Sequence, residues 1–242
     1  MPARTKIWKE ASERFSTLSV ESELKNNTAQ ITIISEDPLS SSTLRSKYFV
    51  YGNGVIRINQ IIEVKDSTVS EIPRFGLKLS MSGEFDQVSW FGRGPHESYW
   101  DRKTSAAIGH YSGSVWEQSF RYVRPQETGN KTDIYWMAVS NGSNGLMAKG
   151  LPTFDGSVHQ YPYEDLDYVP GSQRHGNLDI KSKDHLDWLI DYKQMGVGGD
   201  NSWGARTHNK YTLFPGKYEF SIMLIPFDNK NNLSQLSKLK FE

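Results

Sequence analysis

Two glutamates in loop-like segments are the residues whose type could support catalysis. Glu97 lies in the segment GPHES and Glu127 lies in the segment PQETG. Hydrolysis of a glycosidic bond needs two carboxylates that face each other across the bond, one as acid and one as nucleophile or base. The simpler interpretation is that each glutamate bonds loop amides or an arginine such as Arg102 or Arg124. We favour this structural role and predict no catalytic residue in the chain.

Histidines are the natural candidates for metal ligands, but they show no close pair with the spacing of a zinc site. They are His96, His110, His159, His175, His185 and His208. The absence of cysteine excludes disulfides, thiolate metal sites and a cysteine nucleophile. No Gly-x-Ser-x-Gly turn and no Gly-Lys-Ser/Thr loop is present, which excludes serine-hydrolase and nucleotide-binding motifs. We therefore predict neither a metal nor a cofactor.

A tryptophan that follows a glycine cluster is the third candidate. The stretch YKQMGVGGDNSWG at residues 192–204 runs from an alternating strand into three glycines and then presents Trp203. Glycines let the backbone take positive φ or pass close to another segment, and Asp and Asn side chains can bond local amides. An indole ring stacks on the C–H face of a sugar as readily as it packs into a core. The residues alone leave two alternatives for Trp203, packing into a core, which is the more common, and stacking on a ligand. The loop residues that would support a binding site here are Gly198, Gly199, Asp200, Asn201 and Ser202.

Charge balance restricts the class of partner. Lys plus Arg and Asp plus Glu both number 28 in 242 residues, so no net field favours nucleic acid or an anionic membrane. No apolar run approaches the ~20 residues of a membrane span, and residues 1–10 lack the apolar segment of a signal peptide. We expect neither a nucleic acid nor a membrane partner, and the compartment stays open.

Strand periodicity dominates the elements that must position these residues. Apolar and polar residues alternate along 186–192 and 218–224, and Asn53-Gly54 predicts a hairpin turn. Residues 8–20 could form a weak short helix, whereas 91–129 and 155–177 are predicted to be long structured loops. The pattern predicts an all-β fold, a large antiparallel β-sandwich that forms a single domain over residues 1–242. Residues 227–242 are predicted to be a polar tail or a short helix.

Three motifs carry a family resemblance, and they occur in register. They are WFGRGPHESYWDR at 90–102, YVRPQETGN at 122–130 and MGVGGDNSWG at 195–204. In this order they resemble the C-terminal domain of the glycoside hydrolase family 2 β-galactosidases, over about residues 8–226. The resemblance implies a supersandwich related to the galactose mutarotase fold, packed beside the (β/α)₈ barrel that holds both catalytic glutamates. It also implies that Trp203 matches a tryptophan that reaches into the active site and stacks on the galactoside substrate, mainly on the leaving-group side.

Two departures from that family limit what carries over. The barrel is absent from the chain, so its glutamates match no residue here, and the isolated chain is expected to be inactive. The segment that usually opens the family's domain is also missing, so the chain resembles an excised domain or the small subunit of a two-chain enzyme. Two other functions stay open. One is a stand-alone carbohydrate-binding sandwich, and the other is an aldose epimerase, which needs a His and a Glu facing a sugar.

Overall fold

The computed structural model describes residues 3–124, 126–167, 176–201 and 203–239, and antiparallel strands dominate this part of the chain. The predicted alternating segments 186–192 and 218–224 both lie in strands, and the first of them is buried on both faces. The strands are β1 Ser16–Lys25, β2 Thr28–Asp37, β3 Ser42–Tyr51, β4 Ile56–Val64, β5 Arg74–Met81, β6 Gln87–Gly94, β7 Ala107–Ser114, β8 Lys131–Ser140, β9 Asn144–His159, β10 Leu186–Gln194 and β11 Lys217–Asp228. The helices are short: α1 Ala11–Arg14, α2 Leu233–Leu236 and the 3₁₀ turns Ala3–Trp8, Trp116–Gln118, Tyr163–Leu166, Gly176–Asp179 and Asn209–Tyr211.

One long strand connects two sets of strands. The main sheet has the order β1-β2-β3-β4-β11-β9-β8-β6-β7, and β10 and β5 continue from β9. Residues 144–150 of β9 pair with β11, whereas residues 155–159 of the same strand pair with β10. Because its two halves belong to different ladders, β9 passes from the main sheet to the smaller β10–β5 group.

The core lies between the β10–β5 group and the inner face of the main sheet. The Phe75 ring of β5 lies 6.4 Å from the Phe220 ring of β11, and Tyr192 of β10 lies 5.7 Å from Tyr218. Alternate residues of β10 are fully buried, with Trp188 at 0% exposure. Burial of a large apolar side chain stabilises the fold by about 25 cal/mol for each Å² of apolar surface that is removed from water. The predicted all-β antiparallel sandwich is therefore confirmed.

Three segments differ from the sequence prediction. Residues 91–129 were expected to be loop, but β6 runs to Gly94 and β7 occupies 107–114. Gly92, Gly94, Gly109 and Gly113 lie in these strands. Gly94 is required by close packing, because a Cβ there would come within 2.7 Å of the Tyr111 ring. Similarly, β9 extends to His159 inside the second predicted loop. The expected weak helix is a 3₁₀ turn and one α-helical turn, followed by β1.

The sequence predicted either a polar tail or a short helix at the C-terminal end, and the structure has a short helix there. β11 ends at Asp228, and α2 begins after Asn232, whose Oδ1 accepts a hydrogen bond from Gln235 N at 3.1 Å. An asparagine in this position satisfies one of the free amides at a helix start. Leu233 and Leu236 pack on a second apolar cluster at the outer face of the sheet, which fixes the helix to the strands.

Candidate ligand-binding site

The three motifs of the resemblance meet around one cleft of about 680 Å³. The start of β5, the end of β10 and Glu127 form its floor. Its walls are formed by residues Tyr99, Arg102, Tyr122 and Gln126 and by residues in 195–199 and 204–207. The lining residues are Arg4, Pro73, Arg74, Tyr99, Arg102, Tyr122, Gln126, Glu127, Tyr163, Leu166, Asp167, Gln194, Met195, Gly196, Val197, Gly199, Gly204, Ala205, Arg206 and Thr207. Residues that are far apart in the sequence therefore lie together around this cleft.

Arg74 is the centre of the floor, because strand pairing sets it beside a glutamine. Arg74 begins β5 and Gln194 ends β10, and the two are register partners. Arg74 Nη2 donates to Gln194 Oε1 at 2.7 Å and to Glu127 Oε2 at 2.9 Å. The Tyr163 hydroxyl donates to the same Glu127 oxygen, and Arg74 Nε lies 3.4 Å from Asp191 Oδ2.

Burial and charge shift the ionisation of this floor. Burial opposes the charged form of Arg74, but Asp191 and Glu127 outweigh it and raise the pKa of the guanidinium above its ordinary value. Burial raises the pKa of Asp191 to about 7, in spite of the neighbouring Arg74. The pKa of Tyr163 is raised well above its usual value, mainly by burial, so its phenol stays protonated at neutral pH.

Three floor side chains each leave one buried polar atom without a hydrogen-bond partner in the described structure. These atoms are Arg74 Nη1, Glu127 Oε1 and Gln194 Nε2. They represent two donors and one acceptor on residues that already bond one another. Buried polar atoms are rarely left unpaired, and leaving one unsatisfied costs about 1–3 kcal/mol.

The two candidate glutamates both bond neighbouring groups. Glu97 accepts from Arg102 Nη2 at 2.8 Å and from the Gly129 amide at 2.8 Å, and the Tyr122 hydroxyl also donates to it. These are the loop amide and the arginine that the sequence interpretation named. Glu127 instead bonds Arg74, so Arg102 and Arg124 were the wrong partners for it. Little in the sequence pointed to Arg74, because it is the first residue of an ordinary alternating strand.

The glycine cluster is held by a carboxylate from the first motif. Asp101 Oδ2 accepts hydrogen bonds from Val197 N at 3.0 Å and from Gly198 N at 2.9 Å. The Gly196 amide donates to Tyr211 O at 2.8 Å. Asp101 thereby joins residues almost a hundred positions apart, and it is a supporting residue that the sequence analysis did not single out.

The tip of this loop, which we call the Trp203 loop (residues 195–207), folds onto itself. Asn201 Oδ1 accepts from the Trp203 amide at 2.9 Å, and Asp200 contacts His208 Nε2 at 2.8 Å. Gly199 is required by close approach, because a Cβ there would lie 2.1 Å from Ala205 O. Ser202 lies outside the described residues.

Trp203 is 92% exposed at the tip of this bonded loop. The two alternatives from the sequence were stacking on a ligand and packing in a core. A side chain this exposed makes no core contact in the described chain. The loop therefore presents a large aromatic surface to the outside, and residues 204–207 form one wall of the adjacent cleft.

His159 packs against one lining residue of the cleft, since its ring centroid lies 5.6 Å from that of Tyr163. Burial lowers the pKa of His159 to about 3, and its ring nitrogens contact the hydroxyls of Ser119, Tyr161 and Ser157. No histidine is among the described residues that line the cleft. The described ranges contain no group of three or more His, Asp or Glu arranged to hold a metal ion. Among the described helices, none is long and apolar enough to cross a membrane.

Taken together, the fold and the site define a class: an antiparallel β-sandwich with a polar, aromatic-walled cleft beside an exposed tryptophan. Residues 2–224 match the family model described as "Beta galactosidase small chain". The chain belongs to this family. The predicted resemblance to a β-galactosidase small-chain domain is thereby confirmed, over slightly different bounds from the predicted 8–226.

Named relatives agree with this assignment. The chain is 37% identical over 222 residues to a β-galactosidase of Priestia megaterium, covering 88% of this chain and 20% of the relative. It is 33% identical over 181 residues to a β-galactosidase of Vibrio cholerae, covering 74% and 16%. The chain thus spans about a fifth or less of these relatives' length.

Solved structures give a more distant comparison. A galactose 1-epimerase from Lactobacillus acidophilus superposes with a TM-score of 0.44 at 8% identity, covering 87% of this chain and 66% of that one. A likeness at this level carries no weight for the function of the chain.

Proposed function

We propose that this chain is the part of a β-galactosidase that completes the substrate site through Trp203, while a catalytic barrel supplies the glutamates. The observation that carries this proposal is the 92% exposed indole on a loop bonded to Asp101. An exposed, preorganised ring offers stacking area without a further ordering cost on binding. The coverage of about a fifth of the relatives is consistent with catalytic residues elsewhere in the enzyme.

The glutamates of this chain support a non-catalytic role. Glu97 and Glu127 are bonded to arginines and hydroxyls within the sandwich. A general acid or nucleophile must instead reach the glycosidic oxygen or the sugar carbon. The substrate in this proposal is a galactoside whose leaving-group sugar stacks on Trp203.

The test is steady-state kinetics of Trp203→Ala in enzyme that contains both this chain and the catalytic portion. A stacking contact contributes about 1 kcal/mol beyond area burial, so we expect KM to rise about tenfold when the buried area is included. Trp203→Phe keeps a flat ring and should recover most of the affinity. A melting curve of each variant separates binding from folding, because an exposed side chain should not affect stability.

Two results would contradict the proposal. Unchanged kinetic constants in Trp203→Ala would remove the indole from the substrate site. A collapse of the melting temperature with normal kinetics in the folded fraction would make Trp203 a packing residue.

Co-purification with a separately encoded catalytic chain would identify a two-chain enzyme. Sugar binding with no catalytic partner would favour a stand-alone binding module.

A further inference from the structure

We propose that the cleft beside the Trp203 loop binds a neutral pyranose sugar on its Arg74–Glu127–Gln194 floor. This site is distinct from the stacking surface of Trp203, whose side chain does not line the cleft. The inference therefore does not depend on the role proposed for Trp203. Three properties of the cleft carry it: its size, its unpaired polar atoms and its charge.

Size and walls fit a small ligand. A volume of about 680 Å³ lies within the ~300–1,000 Å³ typical of small-molecule sites. Tyr99, Tyr122 and Tyr163 line it, and the Tyr163 ring packs with its centroid 5.0 Å from the Arg74 guanidinium. Aromatic rings of this kind pack against the apolar C–H faces of sugars. The hydroxyls of Tyr122 and Tyr163 already donate to Glu97 and Glu127, so what they offer a ligand is an acceptor oxygen.

The hydrogen-bonding capacity of the floor matches hydroxyl groups. Arg74, Glu127 and Gln194 line the cleft, and each carries one buried atom without a partner in the described structure. A sugar hydroxyl both donates and accepts, so neighbouring hydroxyls can bond a carboxylate oxygen and a guanidinium or amide nitrogen together. A ligand of this type would satisfy the unpaired groups, which an apolar molecule would leave without partners.

Charge on the floor selects a neutral ligand over an anion. Arg74 is already paired with Glu127 at 2.9 Å and lies 3.4 Å from Asp191. A phosphate or carboxylate placed on Arg74 would therefore face nearby carboxylates. With no histidine among the described lining residues, the floor lacks the His–Glu pair that an aldose epimerase needs. The arrangement fits binding without chemistry.

The experiment is an NMR titration of the ¹⁵N-labelled chain with methyl β-D-galactopyranoside, which cannot change its anomeric form. We expect saturable shifts of the Gln194 side-chain amide and of the Ala205 and Thr207 backbone amides. Gln194→Met removes the amide while keeping the length of the side chain, and should weaken binding about tenfold or more. Trp203→Ala should retain the binding, and Gln87→Met, at the exposed start of β6, is the matched control.

Each other outcome overturns the inference. The absence of saturable shifts up to about 100 mM, where even a ~10 mM site is largely filled, would mean that the cleft holds water only. Equal affinity in Gln194→Met would place the sugar elsewhere. Tighter binding of inorganic phosphate at the same residues would make it an anion site. If Gln194→Met fails to fold, Glu127→Gln replaces it with the same expected loss.

Discussion

Removing the Asp101 carboxylate should loosen the Trp203 loop without unfolding the sandwich. Asp101 Oδ2 accepts two amide hydrogen bonds, from Val197 and Gly198, at 3.0 and 2.9 Å. A hydrogen bond to a charged group contributes about 1.5–3 kcal/mol when sheltered, and about 1 kcal/mol is appropriate for each of these surface bonds. Asp101→Ala should therefore lower the local opening free energy by about 2 kcal/mol, or about 30-fold in the opening equilibrium.

Amide hydrogen exchange followed by NMR measures this effect residue by residue. Exchange at Val197 and Gly198 should accelerate about 30-fold, while the amides of β10 keep their protection. Asp200→Asn is the matched control, since Asp200 contacts the His208 ring and does not bond the Val197 and Gly198 amides. Unchanged exchange in Asp101→Ala would refute the stabilisation of the Trp203 loop by Asp101. A uniform acceleration across β10 would show that Asp101 stabilises the whole sandwich instead.

Three further outcomes follow from the same geometry. Arg102→Ala should lower the melting temperature by about 2–4 °C, because it removes a partly exposed ion pair with Glu97 worth about 1 kcal/mol; an unchanged melting curve with altered sugar binding would move Arg102 from scaffold to site. Burial raises the pKa of Asp191 in the folded chain from its ordinary 3.8 to about 7, so its contribution to stability is full below pH ~4 and is lost as pH rises to about 7. The difference between the urea unfolding midpoints at pH 5 and pH 8 should therefore be smaller in Asp191→Asn than in the unsubstituted chain. An equal difference in the two chains would refute the raised pKa of Asp191. Finally, the isolated chain should neither hydrolyse nitrophenyl galactoside nor accelerate mutarotation of galactose; turnover lost in Glu97→Gln or Glu127→Gln would reverse the structural interpretation of those residues.

The sequence predicted the fold class well because apolar alternation reports directly on which face of a strand is buried. β11 illustrates this, since Phe220 and Ile222 are buried whereas Glu219 on the other face is exposed and Ser221 is half-buried. Glycine content was a poorer guide. In β6 and β7 glycine makes space for the Tyr111 ring, which depends on a neighbouring strand and has no local signature.

The candidate site was predicted only in part. The residues that were missed lie far from one another in the sequence. Trp203 and its loop could be identified because one contiguous stretch contains them. Arg74, Tyr163 and Gln194 were missed because strand pairing and long loops bring them together from three separate segments. Asp101 was quoted within a motif, but its bond to the glycine cluster depends on the folded arrangement of two motifs.

The position of β11 has a consequence for how the chain reaches its folded state. β11 is the last of the described strands in sequence order, yet it lies between β4 and β9 inside the main sheet. Until residues 217–228 have left the ribosome, both neighbours present unpaired edges that can associate with other chains. Because β4 and β11 are about 160 residues apart, their pairing is a slow, non-local step that can begin only after β11 has been synthesised. We expect a chain ending at Gly216 to accumulate in the insoluble fraction, which comparison of its soluble yield with that of the whole chain will measure.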